Sequence, residues 1–320
     1  MKIKFISTAL VTAGFLSANL ANAKPLQAIP GAAQAKASAP SSRSSQFKLT
    51  RVTPGYWRVT IDNPPFNIFG PDSIVQLEPI ISRIENDPDL KVVVFDSAVP
   101  GAFLTHYDFD VPLERTTSMP AGPTGLPALP DLLLRLSRAP VISIVSVRGR
   151  ATGVGGELAL ASDMRFASRE KALFSQFEIG AGFVPGGGPS ARLPRLLGRG
   201  RALEILASGE DIGGELAERY GYVNRSLPDA ELDTFVDHLA RRIASFDKQS
   251  LSEIKTLVNA STVPPTEALD KEWSQFIASV QRGPAQQRIS QLKALGLGQS
   301  ADLENHLTAI TGTLGKPGDP

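Results

Sequence analysis

The chain contains no cysteine. That absence excludes disulfides, thiolate metal sites and cysteine nucleophiles together, and makes the fold independent of the redox state of its compartment. Histidine is scarce. The three present, at 106, 238 and 306, are too scattered to suggest a metal site, so no metal is expected. Charge imbalance is missing too: 33 Lys and Arg stand against 32 Asp and Glu, a net charge of +1. Nothing in that balance points to nucleic acid or an acidic partner. The N-terminal apolar run, Phe5 to about Leu16, falls short of the ~20 residues needed to span a bilayer, so no stable membrane anchor is expected. There is no G-x-G-x-x-G with a following acidic residue, no P-loop lysine and no G-x-S-x-G elbow. What remains is 320 residues, 42% hydrophobic, enough for one large or two small domains with a sizeable core.

Lys2 and Lys4 form a basic head before the apolar run, and Ala21-Asn22-Ala23 gives the small-x-small pattern of a signal-peptidase site. No arginine precedes Arg43, as a mitochondrial presequence would require. Residues 1–23 therefore read as a signal peptide cleaved after Ala23, and the chain as exported, periplasmic or secreted. Residues 24–46, rich in Ala, Pro, Ser and Gln, read as a flexible leader.

Order is expected from about Phe47. Trp57 to Ile61 alternates like a strand. Asp72 or Ser73 could cap a helix carrying Ile74, Leu77, Ile80, Ile81 and Ile84, and Val92 to Phe95 reads as a buried strand. Strand, helix and strand at this spacing form a parallel crossover unit. A Pro/Gly-rich loop, Pro112 to Pro130, precedes a helix from Asp131 to Arg138. Beyond residue 178 the pattern predicts helices over 201–208 and 214–220, a strand over 222–227, then helices over roughly 229–246, 249–260 and 265–282. A weaker helix reaches about Leu295, and the tail from Gly312 is expected to be loose.

The stretch Val141 to Glu178 organises the rest. A β-branched strand, Val141–Val147, breaks into a glycine-rich turn, Gly149–Gly156, and restarts as a short helix at about Gly155. Glu157 lies in the first turn of that helix, and Glu178 follows further strand-like segments. Free N–H groups at a helix start can stabilise an oxyanion. Two carboxylates converging on one pocket repel, so one tends to keep a proton, and the pair can then serve as acid and base. On spacing alone the plainer reading stays open: a helix N-terminal charge at Glu157 and a surface carboxylate at Glu178.

Four blocks, in order, resemble the enoyl-CoA hydratase/isomerase (crotonase) superfamily: PGAFLTHYDFD, RGRATGVGGELALASDMRFAS, KALFSQFEIGAGFVPGGGPSARLPRLLG and GEDIGGELAERYGYVNRSLP. The resemblance runs from about residue 57 to 280. It implies an α/β crotonase (ClpP-like) fold of repeated ββα units, with the core over 47–228 and a helical C-terminal region over 229–320, and a homotrimer or hexamer. It also implies a lyase or isomerase working through an oxyanion-stabilised enolate, by default hydrating a 2-enoyl-CoA thioester. By position, the Tyr107 and Val154 backbone N–H groups match the oxyanion donors, and Glu157 and Glu178 the proton-transfer pair.

The chain departs from the pattern at His106, where glycine is usual, at Tyr107, where a small residue is usual, and at Val154, which replaces glycine. His106 could be an auxiliary acid/base or donor, or could pack the pocket wall. No cofactor is expected; coenzyme A would enter only as the carrier of the substrate, and two features point away from it. Asp108-Phe109-Asp110 carries no base where the family grips phosphate, with only Arg282, Arg288 and Lys293 in the C-terminal helices, and an exported protein meets little CoA. Two further readings follow: a C–C hydrolase or isomerase acting on a ketone without CoA, and a non-catalytic binding protein. Arg148 and Arg150, flanking the turn, could meet an anion or stay solvated.

Overall fold

The computed structural model describes residues 45–314. The expected signal peptide, the leader up to residue 44 and the end of the tail lie outside them. Phe47–Thr53 (β1) and Tyr56–Ile61 (β2) form an antiparallel pair. The helix Pro71–Asn86 (α1) then leads to Val92–Ser97 (β3), parallel to β2 as the expected crossover requires. The cap of α1 falls at Gly70 rather than Asp72 or Ser73. Pro71 is pre-set for the first helical position, and the Ser73 hydroxyl reaches back to accept the Gly70 N–H at 3.0 Å.

From β3 onward a pair of strands followed by a helix repeats. Ala102–Leu104 (β4) is followed by Glu114–Thr117 (α2) and Ala128–Arg138 (α3). Ile142–Val147 (β5) and Arg150–Thr152 (β6) precede Val154–Ala161 (α4). Met164–Ser168 (β7), Leu173–Ser175 (β8) and a 3₁₀ turn, Phe177–Ile179, precede Pro189–Leu197 (α5) and Arg199–Ser208 (α6). Ile212–Gly213 (β9), Gly214–Tyr220 (α7) and Arg225–Leu227 (β10) close the α/β part. Five helices follow: Asp229–Ala244 (α8), Lys248–Thr262 (α9), Thr266–Val280 (α10), Gly283–Ala294 (α11) and Ala301–Thr311 (α12).

The strand pairs divide between two sheets. The first strand of each repeat joins the sheet β1-β2-β3-β5-β7-β10, and the second joins β4-β6-β8-β9. This is the α/β fold of repeated ββα units. Three details differ from expectation. The glycine turn 149–156 contains β6, too short to show a period. The loop 112–130 is interrupted by α2 and by an earlier start of α3. The helix α12 was not anticipated; His306 leaves helical geometry inside it (φ −119°, ψ 17°) and breaks the pattern.

Alternation in β3 and β5 explains how the large sheet is covered on both faces. Val93, Phe95, Val145 and Val147 point into the main core with α1, α3 and α4. Val92, Val94, Ile142 and Ile144 point to the opposite face, against Leu232, Val236, Ala240 and Ile243 of α8. Residues two apart share a face, so apolar side chains in both registers are what a doubly covered parallel sheet demands, with Ser143 and Ser146 the two polar positions of β5. Phe95→Ala, at a fully buried ring of β3, is expected to destabilise the fold by about 3–5 kcal/mol, measured by urea unfolding.

Candidate active site

The chain leaves β4 through Thr105, His106 and Tyr107. Tyr107 forms an isolated parallel bridge with Phe69. The His106 carbonyl accepts the Phe69 N–H at 3.1 Å, and the Asp108 N–H donates to the Phe69 carbonyl at 2.7 Å. These bonds hold the peptide groups on either side of Tyr107. Among the described residues its own N–H has no acceptor.

The second segment leaves β6 through Gly153 into α4. Gly153 has φ +53° and ψ −117°, a conformation side chains resist. Val154 is the first helical residue, so its N–H lies among those that a helix start leaves without an intrahelical acceptor. None of the described residues accepts it. At Gly155 a Cβ would lie 1.7 Å from the Leu104 carbonyl oxygen, so only glycine lets α4 close onto the end of β4.

Tyr107, Val154, Glu157 and Glu178 all line one cavity of about 320 Å³. Its walls are mainly apolar, with Phe177, Phe183, Trp273 and Phe276 prominent, and its size suits a small acyl group. The four residues named from the sequence are thus brought together.

The two carboxylates sit in different surroundings. Glu157 Oε1 accepts the N–H groups of Gly187 at 2.7 Å and Gly186 at 3.2 Å. Burial pushes its pKa up to about 7. The Gly187 N–H opposes that rise, the Glu272 carboxylate adds to it, and the Arg192 charge opposes it. Glu178 Oε2 is buried without a partner among the described residues. Burial, and then the charge of Glu157, raise its pKa well above the usual carboxylate range. One group can therefore exist as a carboxylate near neutral pH while the other keeps its proton.

Two features were not read from the sequence, and a third, Lys293, was named there only as one of the few bases in the C-terminal helices. Glu272 on α10 accepts the Ser190 and Ala191 N–H groups at 3.1 Å each, capping α5, and adds negative charge beside Glu157. The Gly186 and Gly187 donors come from the PGGG run, whose glycines were the available signal. Lys293 reaches the cavity from α11, where it pairs with Asp110 at 3.0 Å and donates to the Phe109 carbonyl.

His106 does not take the auxiliary place considered for it. Its ring is not among the residues lining the cavity. Instead Nε2 lies 3.0 Å from Glu304 Oε1 and Nδ1 lies 2.7 Å from the Tyr107 carbonyl. Arg148 and Arg150 also face away. Arg148 pairs with Asp229 and Asp233, and Arg150 with Asp211.

The sequence pattern of the enoyl-CoA hydratase/isomerase family matches residues 53–284. The chain belongs to that family. Its match to the short-chain-enoyl-CoA hydratase of Clostridium acetobutylicum is 31% identical over 204 residues, 63% of this chain and 76% of the relative. The crotonyl-CoA hydratase of Syntrophomonas wolfei is also 31% identical, over 60% and 73% of the two chains. In structure, the chain is similar to a provisionally named enoyl-CoA hydratase from Streptomyces avermitilis. The TM-score is 0.81 at 36% identity, covering 87% of this chain and all of the other. This family member is an enzyme of the enoyl-CoA hydratase/isomerase kind, and its fold is the crotonase fold.

Burial of Glu157 has a stability cost that depends on pH. A carboxyl whose folded-state pKa lies above its unfolded value of 4.5 favours folding only while protonated, and that contribution is lost as pH rises through about 7. The Glu157→Gln chain is therefore expected to gain on the native chain between pH 4.5 and pH 8. The shift from 4.5 to about 7 sets that gain at about 3 kcal/mol, read by urea unfolding at the two pH values.

Proposed function

We propose that this family member adds water across the double bond of a 2-enoyl thioester, with Glu157 as base and Glu178 as acid. The observation that carries the reading is the unequal environment of two carboxyls in one apolar cavity. Glu157 has two backbone N–H donors to stabilise its charge. Glu178 has a buried oxygen with none and keeps its proton. The names of the relatives support the same chemistry.

In this mechanism Glu157 takes a proton from water as the oxygen bonds to Cβ. The π electrons move onto the thioester oxygen, giving an enolate. The N–H groups of Tyr107 and Val154 donate to that oxygen, and each such donor is worth roughly 2.7–4 kcal/mol of barrier. The enolate then collapses as Cα takes the proton of Glu178. One water has been added, Glu157 carries a proton and Glu178 is ionised. Transfer of that proton between them, through water, restores the starting state. Running the proton transfers at Cα and Cγ instead would move the double bond, so isomerisation is open to the same groups.

A second reading concerns the carrier. Lys293 is the one cationic side chain on the cavity wall among the described residues, and it is paired with Asp110, with Asp108 beside it. A diphosphate would meet carboxylates there. This favours a thioester without CoA, or a ketone, processed by the same oxyanion donors through hydrolysis or isomerisation. The expected signal peptide supports it, because CoA is scarce outside the cytoplasm. Assembly as a trimer or hexamer is supported by Ile254, Leu257 and Val258, apolar residues exposed on one face of α9.

The test of the default reaction is purified mature protein with crotonyl-CoA, followed by loss of enoyl absorbance. Turnover is expected to need Glu157 ionised and Glu178 protonated, so the rate should rise with pH through about 7 and fall again as Glu178 ionises. Glu157→Gln and Glu178→Gln are each expected to lower kcat by about 10²–10⁴-fold. No turnover, together with no thermal shift from CoA, would sink the CoA thioester reading and leave the ketone one. Fractionation of the native host is expected to recover a chain beginning at Lys24 outside the cytoplasm. An unprocessed cytoplasmic chain would refute export and return CoA as the carrier.

A further inference from the structure

The helix α12 lies beyond the residues matched by the family pattern, which ends at 284. It nevertheless meets all three segments that carry the site. Glu304 is buried, with Oε1 at 3.0 Å from His106 Nε2 and accepting the Gly298 N–H at 2.7 Å. The other ring nitrogen, Nδ1, lies 2.7 Å from the Tyr107 carbonyl. Both neighbours of the ring are acceptors, so both nitrogens carry protons and the ring is an imidazolium facing a carboxylate. The next residue, Asn305, accepts a hydrogen bond on its carbonyl from Arg150 Nη2. Arg150 opens β6, and its guanidinium also grips Asp211 in a fork at 2.9 and 2.7 Å. Leu303 and Leu307 pack in one cluster with Phe177, at the turn that carries Glu178.

We propose that α12 is the positioning element of the oxyanion site, holding the Tyr107 peptide through the Glu304–His106 ion pair and the Val154 segment through the Asn305–Arg150 bond. The inference rests on the reading of Tyr107 and Val154 as oxyanion donors. His106 and Glu304 line no part of the cavity, so they are positioning residues and not catalytic ones. The imidazolium donates to the Tyr107 carbonyl, while Phe69 holds the peptides on both sides of the same residue. Tyr107 is thereby fixed from two directions, and its remaining N–H is left to point at the substrate oxygen. A buried ion pair suits this task, because pulling either partner away leaves an uncompensated charge in the interior.

Three variants and two readouts test the proposal. Glu304→Ala removes the acceptor. Glu304→Gln keeps an oxygen able to accept the Nε2 proton. Glu304→Asp keeps the charge but falls one methylene short. Amide hydrogen exchange is followed in residues 104–109 and 150–156, with β1 to β3 as internal reference, alongside turnover of crotonyl-CoA. In Glu304→Ala, exchange is expected to quicken about tenfold or more in both segments and not in β1 to β3. Displacement of the donors is expected to lower kcat by about 10²-fold with KM nearly unchanged. Glu304→Gln, which keeps the acceptor but not the counter-charge, is expected to restore both only in part. If the alanine chain does not fold, Glu304→Asp is scored by the same two readouts. Unchanged exchange in the two segments, or quickening confined to α12, overturns the proposal whatever turnover does. If even the native chain leaves crotonyl-CoA untouched, the hydration reading fails while the exchange comparison still decides the role of α12.

Discussion

The site depends on one close approach, the start of α4 against the end of β4. The Leu104 carbonyl sits where the Cβ of any other residue at 155 would be. Because β4 and β6 are parallel neighbours in the small sheet, the chain leaves both strands at the same end of it. The contact at Gly155 then brings Tyr107 and Val154 onto one cavity although 47 positions separate them in sequence. A methyl group at 155 would have to push the two segments apart, and the cavity walls they carry would move with them.

Around that contact the protein arranges charge by exclusion of water. Both site carboxyls are driven towards the neutral form by burial, and what separates them is local: the Gly186 and Gly187 N–H groups serve Glu157 alone. Glu272 and Arg192 act on Glu157 with opposite sign. Arg192 is itself buried with Nε and Nη2 unpartnered among the described residues, and burial lowers its pKa to about 10. A retained positive charge there limits how far Glu157 is pushed up. The pair is thus tuned by groups of the glycine loop before α5, of α5 and of α10 that meet only in the folded chain.

Much of this was legible in the sequence, and the reasons for what was not are specific. Strands β2, β3 and β5 and helices α1 and α8 carry long apolar patterns, so their type could be read. Strands β6, β8 and β9 have two or three residues and show no period. The four candidate site residues were found by resemblance; spacing alone left Glu157 readable as a helix N-terminal charge, and it does lie in the first turn of α4, and left Glu178 readable as a surface carboxylate, which its burial now removes. Glu272 could not be found, because its neighbours lie about 80 positions away. The role of His106 was hidden for the same reason: its partner is 198 positions distant and sits on a helix whose pattern is broken by His306.

That separation of 198 positions also bears on synthesis. Domains fold as the chain emerges, N-terminal parts first, and α12 is the last helix of the described residues. If the strands and α4 assemble before α12 docks, His106 enters the interior with no counter-charge. A chain arrested short of Glu304 would hold a nearly complete core around an ionisable group that water or deprotonation must satisfy. The docking of α12 is therefore the step at which this interior becomes electrically balanced.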